Sequence, residues 1–364
     1  MNASVFFKPL TVGTHTARYP IIQGAMAVKV SGAKLAAAVA EAGGIGLISS
    51  FGIGFDSPYF PERAPRKTFF QANQLALQDA LTTARKLSPT GIIGVNILVA
   101  TKDYLALAQT AAAGGADLIV TGAGLPLTLP EVTQDYLHVA LVPIVADLES
   151  AQIICQAWGK NYHRYPDAII VENCQKIGGH FASQCQDGIP NDLGQTLQHL
   201  RHYLNSLNLQ IPIIITGGIW EQEDIQQMLR LGADGVQIGS RFITTQECDA
   251  ADAYKQVHLQ ARPEDIISIT SPVGKPARVL KNQLTTDIAT QAPTLERRCL
   301  ANCLQTCLCR DQGTSFCLLQ VLNAASQGDV QAGLLFASGN VRPIRKILSV
   351  AELMASWGCA SSDG

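Results

Sequence analysis

Three short stretches carry residue types whose spacing could do chemistry. Ile215-Thr216-Gly217-Gly218-Ile219 and Gln237-Ile238-Gly239-Ser240-Arg241-Phe242 each place glycine directly after a β-branched run. Glycine in such a turn lets backbone N–H groups approach an anion closely, so the two loops together imply a phosphate-bearing ligand. The plainer alternative is that Gly217, Gly218 and Gly239 only permit tight turns. The third stretch, Val171-Glu172-Asn173-Cys174-Gln175-Lys176-Ile177-Gly178-Gly179-His180, ends in a histidine behind two glycines. That pattern lets the backbone lie flat against a planar ligand while an imidazole, suited to proton transfer near neutral pH, faces the pocket. His180 is the candidate catalytic group. A hydrogen-bonded histidine with a structural role is the alternative.

Further polar atoms sit in apolar surroundings at Gln23-Gly24-Ala25-Met26, at Asn96 within Gly94-Val95-Asn96, and at Thr121-Gly122-Ala123-Gly124. A buried amide such as Asn96 must find hydrogen-bond partners. A backbone loop with one amide suits the N- and O-rich edge of a flavin ring, whose faces want apolar cover. Met26 would serve equally well as core. With no GxGxxG fingerprint and no GxxxxGK[ST] loop, the ligand is not expected to be held in a Rossmann or P-loop manner.

Eight β-branched runs must position these residues: Tyr19 to Gly24, Ile45 to Ser49, Ile92 to Ile97, Asp117 to Thr121, Pro143 to Ala146, Ala168 to Glu172, Pro212 to Thr216 and Gly235 to Ile238. Most lack polar alternation, the pattern of strands buried on both faces of a parallel sheet. Helical patterns lie between them at Gly32 to Ala42, Phe70 to Leu87, Leu105 to Ala113, Glu149 to Trp158, Leu193 to Leu207 and Glu221 to Leu231. Eight alternating units predict a (β/α)8 TIM barrel over residues 1–245, and in that fold chemistry sits at the carboxyl ends of the strands. All three stretches fall there.

Beyond Phe242 the pattern becomes more polar, with a helical segment at Asp249 to Ala261 and no evident buried strand. It predicts an appended helical subdomain over 246–312, then C-terminal helices over 313–364 (Thr314 to Ser326, Val341 to Ala355) that return to the barrel. The chain has 364 residues, 47% hydrophobic and 15% charged, with a net charge of -2. That balance favours a large core and gives no bulk attraction for nucleic acid or an anionic membrane. Neither a signal peptide nor a membrane span is expected, and the expected location is cytoplasmic.

All ten cysteines lie beyond residue 150, five of them between Cys299 and Cys317, and are read as reduced thiols. Cys299, Cys303 and Cys307 are spaced i, i+4 and i+8, which on a helix makes one stripe with Cys309 off its line, either a buried apolar stripe or a redox-reactive patch. Without a C-x2-C pair, no metal site is expected there.

In order, Pro20-Ile21-Ile22-Gln23-Gly24-Ala25-Met26, Gly94-Val95-Asn96-Ile97, Thr121-Gly122-Ala123-Gly124, Gly178-Gly179-His180, Thr216-Gly217-Gly218-Ile219, Gly235 to Phe242 and Lys281-Asn282-Gln283-Leu284 resemble the nitronate monooxygenase (2-nitropropane dioxygenase) family. Related flavin-dependent enoyl-ACP reductases share the motif order. The resemblance implies an FMN barrel with a helical insert. It maps the FMN phosphate onto Gly217, Gly218, Gly239 and Ser240, and ring or ribityl contacts onto Ala25, Met26, Asn96, Gly178 and Gln237. His180 falls where the family has its catalytic base. The run before Gly178 is one residue longer than usual, which leaves the flavin contact open among Glu172, Asn173 and Gln175. Phe181-Ala182 follows where a smaller residue is common.

The activity implied is FMN-dependent oxidation of alkyl nitronates to a carbonyl compound and nitrite with O2. His180 would remove an α-proton from a neutral nitroalkane, or orient a preformed nitronate. The rival is an NAD(P)H-dependent enoyl-thioester reductase on the same scaffold. The partners expected are a small-molecule substrate with O2 or NAD(P)H, and a homodimer is left open.

Overall fold

The computed structural model describes residues 7–61, 64–180, 192–292 and 297–359. Eight short strands close into a parallel barrel: β1 (Ile21–Gln23), β2 (Ile45–Ser49), β3 (Ile92–Leu98), β4 (Leu118–Gly122), β5 (Ala140–Val145), β6 (Ile169–Glu172), β7 (Ile213–Thr216) and β8 (Gly235–Ile238). Each pairs with the next, and β8 closes onto β1 with Val236 opposite Ile21. All eight expected strands form. The largest boundary difference is in β5, which starts at Ala140, three residues before the predicted Pro143.

The near-continuous hydrophobicity has a simple cause: both faces of each strand are covered. Ile22, Leu47, Val120, Val142, Ile170 and Ile214 belong to the apolar cluster that fills the barrel. Their neighbours Ile21, Ile48, Ile119, Leu141, Ile169 and Ile213 belong instead to the shell shared with the surrounding helices. A hairpin, Leu10–Val12 paired with His15–Ala17, closes the amino end. Leu10 packs over Gly235, the first residue of β8, where a Cβ would stand 2.9 Å from its Cδ2. The carboxyl end is left for the site.

The barrel helices follow the expected order: Ala33–Glu41, Phe69–Leu87, Tyr104–Ala113, Leu148–Tyr162, Leu193–Ser206 and Gln222–Arg230. No helix among the described residues is long and apolar enough to cross a membrane.

Beyond β8 the structure corrects two expectations. The helix Asp252–Gln260 is present, but it is followed by two antiparallel strands, Ile266–Thr270 and Pro276–Leu280, in a region with no evident buried strand in its sequence. The first is half exposed; the second is largely buried, but its opening proline and Arg278 hide it in the sequence. The second correction concerns the cysteines. Only Leu308–Asp311 is helical, so Cys299, Cys303 and Cys307 make no helical stripe. The backbone there pairs with the loop after β3 instead: Lys102 N–H donates to the Cys303 carbonyl and Gln305 N–H to that of Ala100, both at 2.9 Å. Asn302, in the left-handed region at φ 54°, turns the chain just before Cys303. Cys303, Cys307, Cys309 and Cys317 pack with Val28, Phe51, Phe60 and Phe69. Cys174 is disulfide-bonded, so the ten cysteines are not uniformly thiols.

The C-terminal region returns to the barrel through Val350–Ser356, which starts nine residues later than Val341. Trp357 meets Phe242 edge to face at 5.5 Å and donates from Nε1 to the Trp220 carbonyl at 3.2 Å.

Candidate active site

Gly217 and Gly218 follow β7 at φ 106° and 76°, a region that L side chains rarely adopt. A Cβ on Gly217 would stand 2.8 Å from the Asn173 carbonyl oxygen, and one on Gly218 2.5 Å from Lys176 Cδ. These glycines are therefore required by the loop after β6, whatever ligand they meet. Gly239 is different. Its φ is -101°, and the nearest atom to an added Cβ is Met26 Sδ at 3.8 Å. Open space at that point, between the ends of β1 and β8, is what close approach of a ligand to the backbone requires. Next to it, Arg241 is buried and donates from Nη1 to Thr244 Oγ1 at 2.8 Å, while its Nε has no partner among the described residues. Burial pulls its pKa down, with Glu221 opposing.

The predicted residues of β1 and β8 converge. A Cβ on Gly24 would lie 3.4 Å from both Gln237 Cγ and Gly239 Cα. Ala25 and Met26 are half buried, and the Met26 N–H donates to Ser31 Oγ at 2.9 Å. Gln237 and Asn96 are 5% and 8% exposed, yet neither side-chain amide bonds to a described residue. The backbone carbonyl of Asn96 is engaged, accepting from the Ser50 N–H at 3.1 Å and Oγ at 2.9 Å. Two nearly buried free amides at a strand-end mouth suit the polar edge of a planar ligand.

His180 is carried against the hairpin of Ile266–Thr270 and Pro276–Leu280. Gly179–His180 forms a short strand on Pro276–Leu280, with His180 opposite Ala277. Its Nε2 is 2.5 Å from Ser271 Oγ, and its ring packs on Phe336 at 5.2 Å. Burial pushes its pKa down to about 4, and the Lys275 cation adds to the effect. Glu172, at the end of β6, is pushed up to about 7 by burial, with Lys275 opposing. One exposed lysine on the hairpin turn thus acts on both titratable groups. Paired groups whose environments move their protonation in this way mark functional clefts.

Ser271 and Lys275 escaped sequence reasoning because the hairpin carrying them was not expected. The segment Phe336 to Asn340 was missed as well. Ser338 N–H donates to Ser240 Oγ at 3.1 Å, Ser338 Oγ donates to the Lys176 carbonyl at 3.0 Å, and Asn340 Nδ2 donates to the Gly218 carbonyl at 2.7 Å. Gly178 presses against the same segment, where a Cβ would stand 2.7 Å from the Ala337 carbonyl carbon. The loops after β6, β7 and β8 are therefore tied by one strap. The only trace in the sequence is the small, polar run Ser338-Gly339-Asn340.

A (β/α)8 barrel whose polar groups gather at the carboxyl ends of its strands places the chain among barrel enzymes. Within that class it belongs to the nitronate monooxygenase family of flavin-dependent oxidoreductases, whose sequence model, Nitronate monooxygenase, matches residues 8–357. A probable nitronate monooxygenase from Staphylococcus saprophyticus is 29% identical over 118 residues, 32% of each chain. The (3aS,4S,5R,7aS)-5-hydroxy-7a-methyl-1-oxo-octahydro-1H-indene-4-carboxyl-CoA dehydrogenase of Mycobacterium tuberculosis is 26% identical over 271 residues, 73% of this chain and 64% of that one. The matched segments thus span about a third and just under two thirds of these two relatives. In fold the chain is similar to nitroalkane oxidase from Streptomyces ansochromogenes, with a TM-score of 0.69, 20% identity, and coverage of 95% of this chain and 96% of that one.

Proposed function

We propose that this chain binds FMN and oxidises alkyl nitronates to a carbonyl compound and nitrite, with O2 as electron acceptor. The observation that carries the reading is the open space at Gly239, where the ends of β1 and β8 converge. In this reading Gly217, Gly218, Gly239 and Ser240 hold the phosphate through backbone groups. Asn96 and Gln237 turn their amides to the ring edge, Ala25 and Met26 cover it, and Gly178 lets the backbone pass close. One phosphate site without an adenosine fingerprint favours FMN over FAD. The bound flavin would supply the redox chemistry, taking electrons from the substrate and passing them to O2. The protein would supply position: Lys275 attracts the anion, and His180 orients it.

The test is cofactor release and product analysis. Mass spectrometry of denatured protein should give FMN, and ethylnitronate should yield nitrite in air. Release of FAD, or no flavin after reconstitution, overturns the reading. A second reading, thioester reduction with NAD(P)H, draws support from the CoA-thioester substrate in the name of the Mycobacterium tuberculosis relative. It predicts rapid anaerobic bleaching by NAD(P)H and no nitrite.

A further inference from the structure

Ser271 is fully buried at the start of the hairpin turn. The turn is closed by Ser271 N–H donating to the Lys275 carbonyl at 2.9 Å and Gly274 N–H donating to the Ser271 carbonyl at 2.8 Å. The serine Oγ has two neighbours. Val273 N–H can only donate to it, at 3.4 Å. His180 Nε2, at 2.5 Å, is then the one acceptor for the hydroxyl proton among the described residues. A buried hydroxyl without an acceptor is costly, so the serine proton goes to Nε2, and a neutral imidazole must then carry its own proton on Nδ1. The ring cannot easily turn away from this arrangement. Its backbone is paired to Ala277, and Phe336 packs against it. Nδ1 has no hydrogen-bond partner among the described residues.

We infer that Ser271 is a positioning residue that fixes His180 as the Nδ1–H tautomer, so that the imidazole meets a preformed nitronate as a neutral hydrogen-bond donor and takes no proton from a neutral nitroalkane. This rests on the proposed nitronate chemistry and narrows it to the anionic substrate. Two neighbours support an anion. Lys275 places a cation beside His180 and Glu172, and the raised pKa of Glu172 weakens the repulsion a full carboxylate would exert. Burial, assisted by Lys275, keeps the imidazole uncharged down to about pH 4, so the donor form persists across the working range.

The tautomer is read directly by long-range 1H–15N correlation on protein labelled at histidine, with His180→Ala used for assignment. The expected pattern has Nδ1 protonated and Nε2 bare, and Ser271→Ala should mix the two forms. A proton on Nε2 in the wild type overturns the inference. Kinetics give the second arm. On freshly dissolved neutral nitroethane, kcat/KM should be ~10²-fold or more below that on ethylnitronate, the scale of an absent general base. His180→Asn keeps an N–H donor near the Nδ1 position but no basic nitrogen. It should retain nitronate turnover within about tenfold, while His180→Ala should lose more. Comparable turnover of both substrates, with selective loss of nitroethane in His180→Asn, would show a base and overturn the inference. If neither substrate releases nitrite while the tautomer is as expected, the substrate assignment falls and the positioning role of Ser271 stands.

Discussion

Asn340 donates from Nδ2 to the carbonyl oxygen of Gly218 at 2.7 Å, tying the C-terminal strap to the glycine loop after β7 across 122 residues of chain. The loop's shape is thereby set by a residue that the barrel pattern does not contain. Asn340→Ala should weaken FMN binding by roughly five- to tenfold, the worth of about one net hydrogen bond. Flavin fluorescence titration of reconstituted apoprotein measures this. An unchanged Kd would detach the strap from the cofactor site.

The glycines after β7 and β8 should respond differently. Gly239→Ala has room for its Cβ and should fold, whereas Gly239→Asp brings a carboxylate to the phosphate position and should abolish FMN binding while leaving the melting temperature of the apoprotein near that of wild type. Gly218→Ala combines a positive φ with a Cβ 2.5 Å from Lys176 and should lower stability in the apoprotein as well, by about 1–3 kcal/mol. Normal FMN content in Gly239→Asp would mean that the phosphate site is misplaced.

The barrel was legible because each strand is covered on both faces, and a short run such as Ile213-Ile214-Ile215 has few other readings. The residues converging at Gly24, Met26, Gln237 and Gly239 were legible for a related reason, since barrel chemistry sits directly after each strand. What was not legible depends on tertiary partners. The Ile266–Thr270 strand is half exposed and gains its place by pairing, and Ser271 matters only because the pairing brings His180 to it. The cysteine spacing suggested a helix, but the loop after β3 competes for the same backbone groups and wins. Glu172 was in view only as one of three candidates for a flavin contact; its raised pKa was not legible, because its burial and the approach of Lys275 are properties of the fold.

Glu172 should leave a pH signature in stability. Its folded pKa of about 7 lies above the ordinary 4.5. The protonated form is the one the fold favours, so its contribution is fully present below about pH 4.5 and is lost as pH rises through about 7. Relative to Glu172→Gln, wild-type stability should therefore fall by up to about 3 kcal/mol between those limits. Lys275→Met removes the opposing cation and should move the transition to higher pH. Parallel stability profiles for wild type and Glu172→Gln would contradict the buried carboxyl.

The cysteine segment should be separable from the flavin. Burial pushes the Cys303 thiol well up, whereas Cys299 is half exposed. Alkylation of native protein at pH 7.5 should mark Cys299 before Cys303 and leave flavin content unchanged, as peptide mapping and absorption would show. No group of three His, Cys, Asp or Glu residues among the described residues is placed to hold a metal ion. Iron and zinc should accordingly be substoichiometric, and stoichiometric metal with activity lost on chelation would reverse the assignment of this segment to packing.

On the proposed function, a nitronate reduces a flavin held by this barrel. Stopped-flow absorption of the purified holoprotein under anaerobic conditions tests it directly, mixing it with ethylnitronate in one experiment and with NADPH in another. Rapid loss of the oxidised flavin band is expected with ethylnitronate, and little change with NADPH. Rapid bleaching by NADPH with no reduction by ethylnitronate would contradict it.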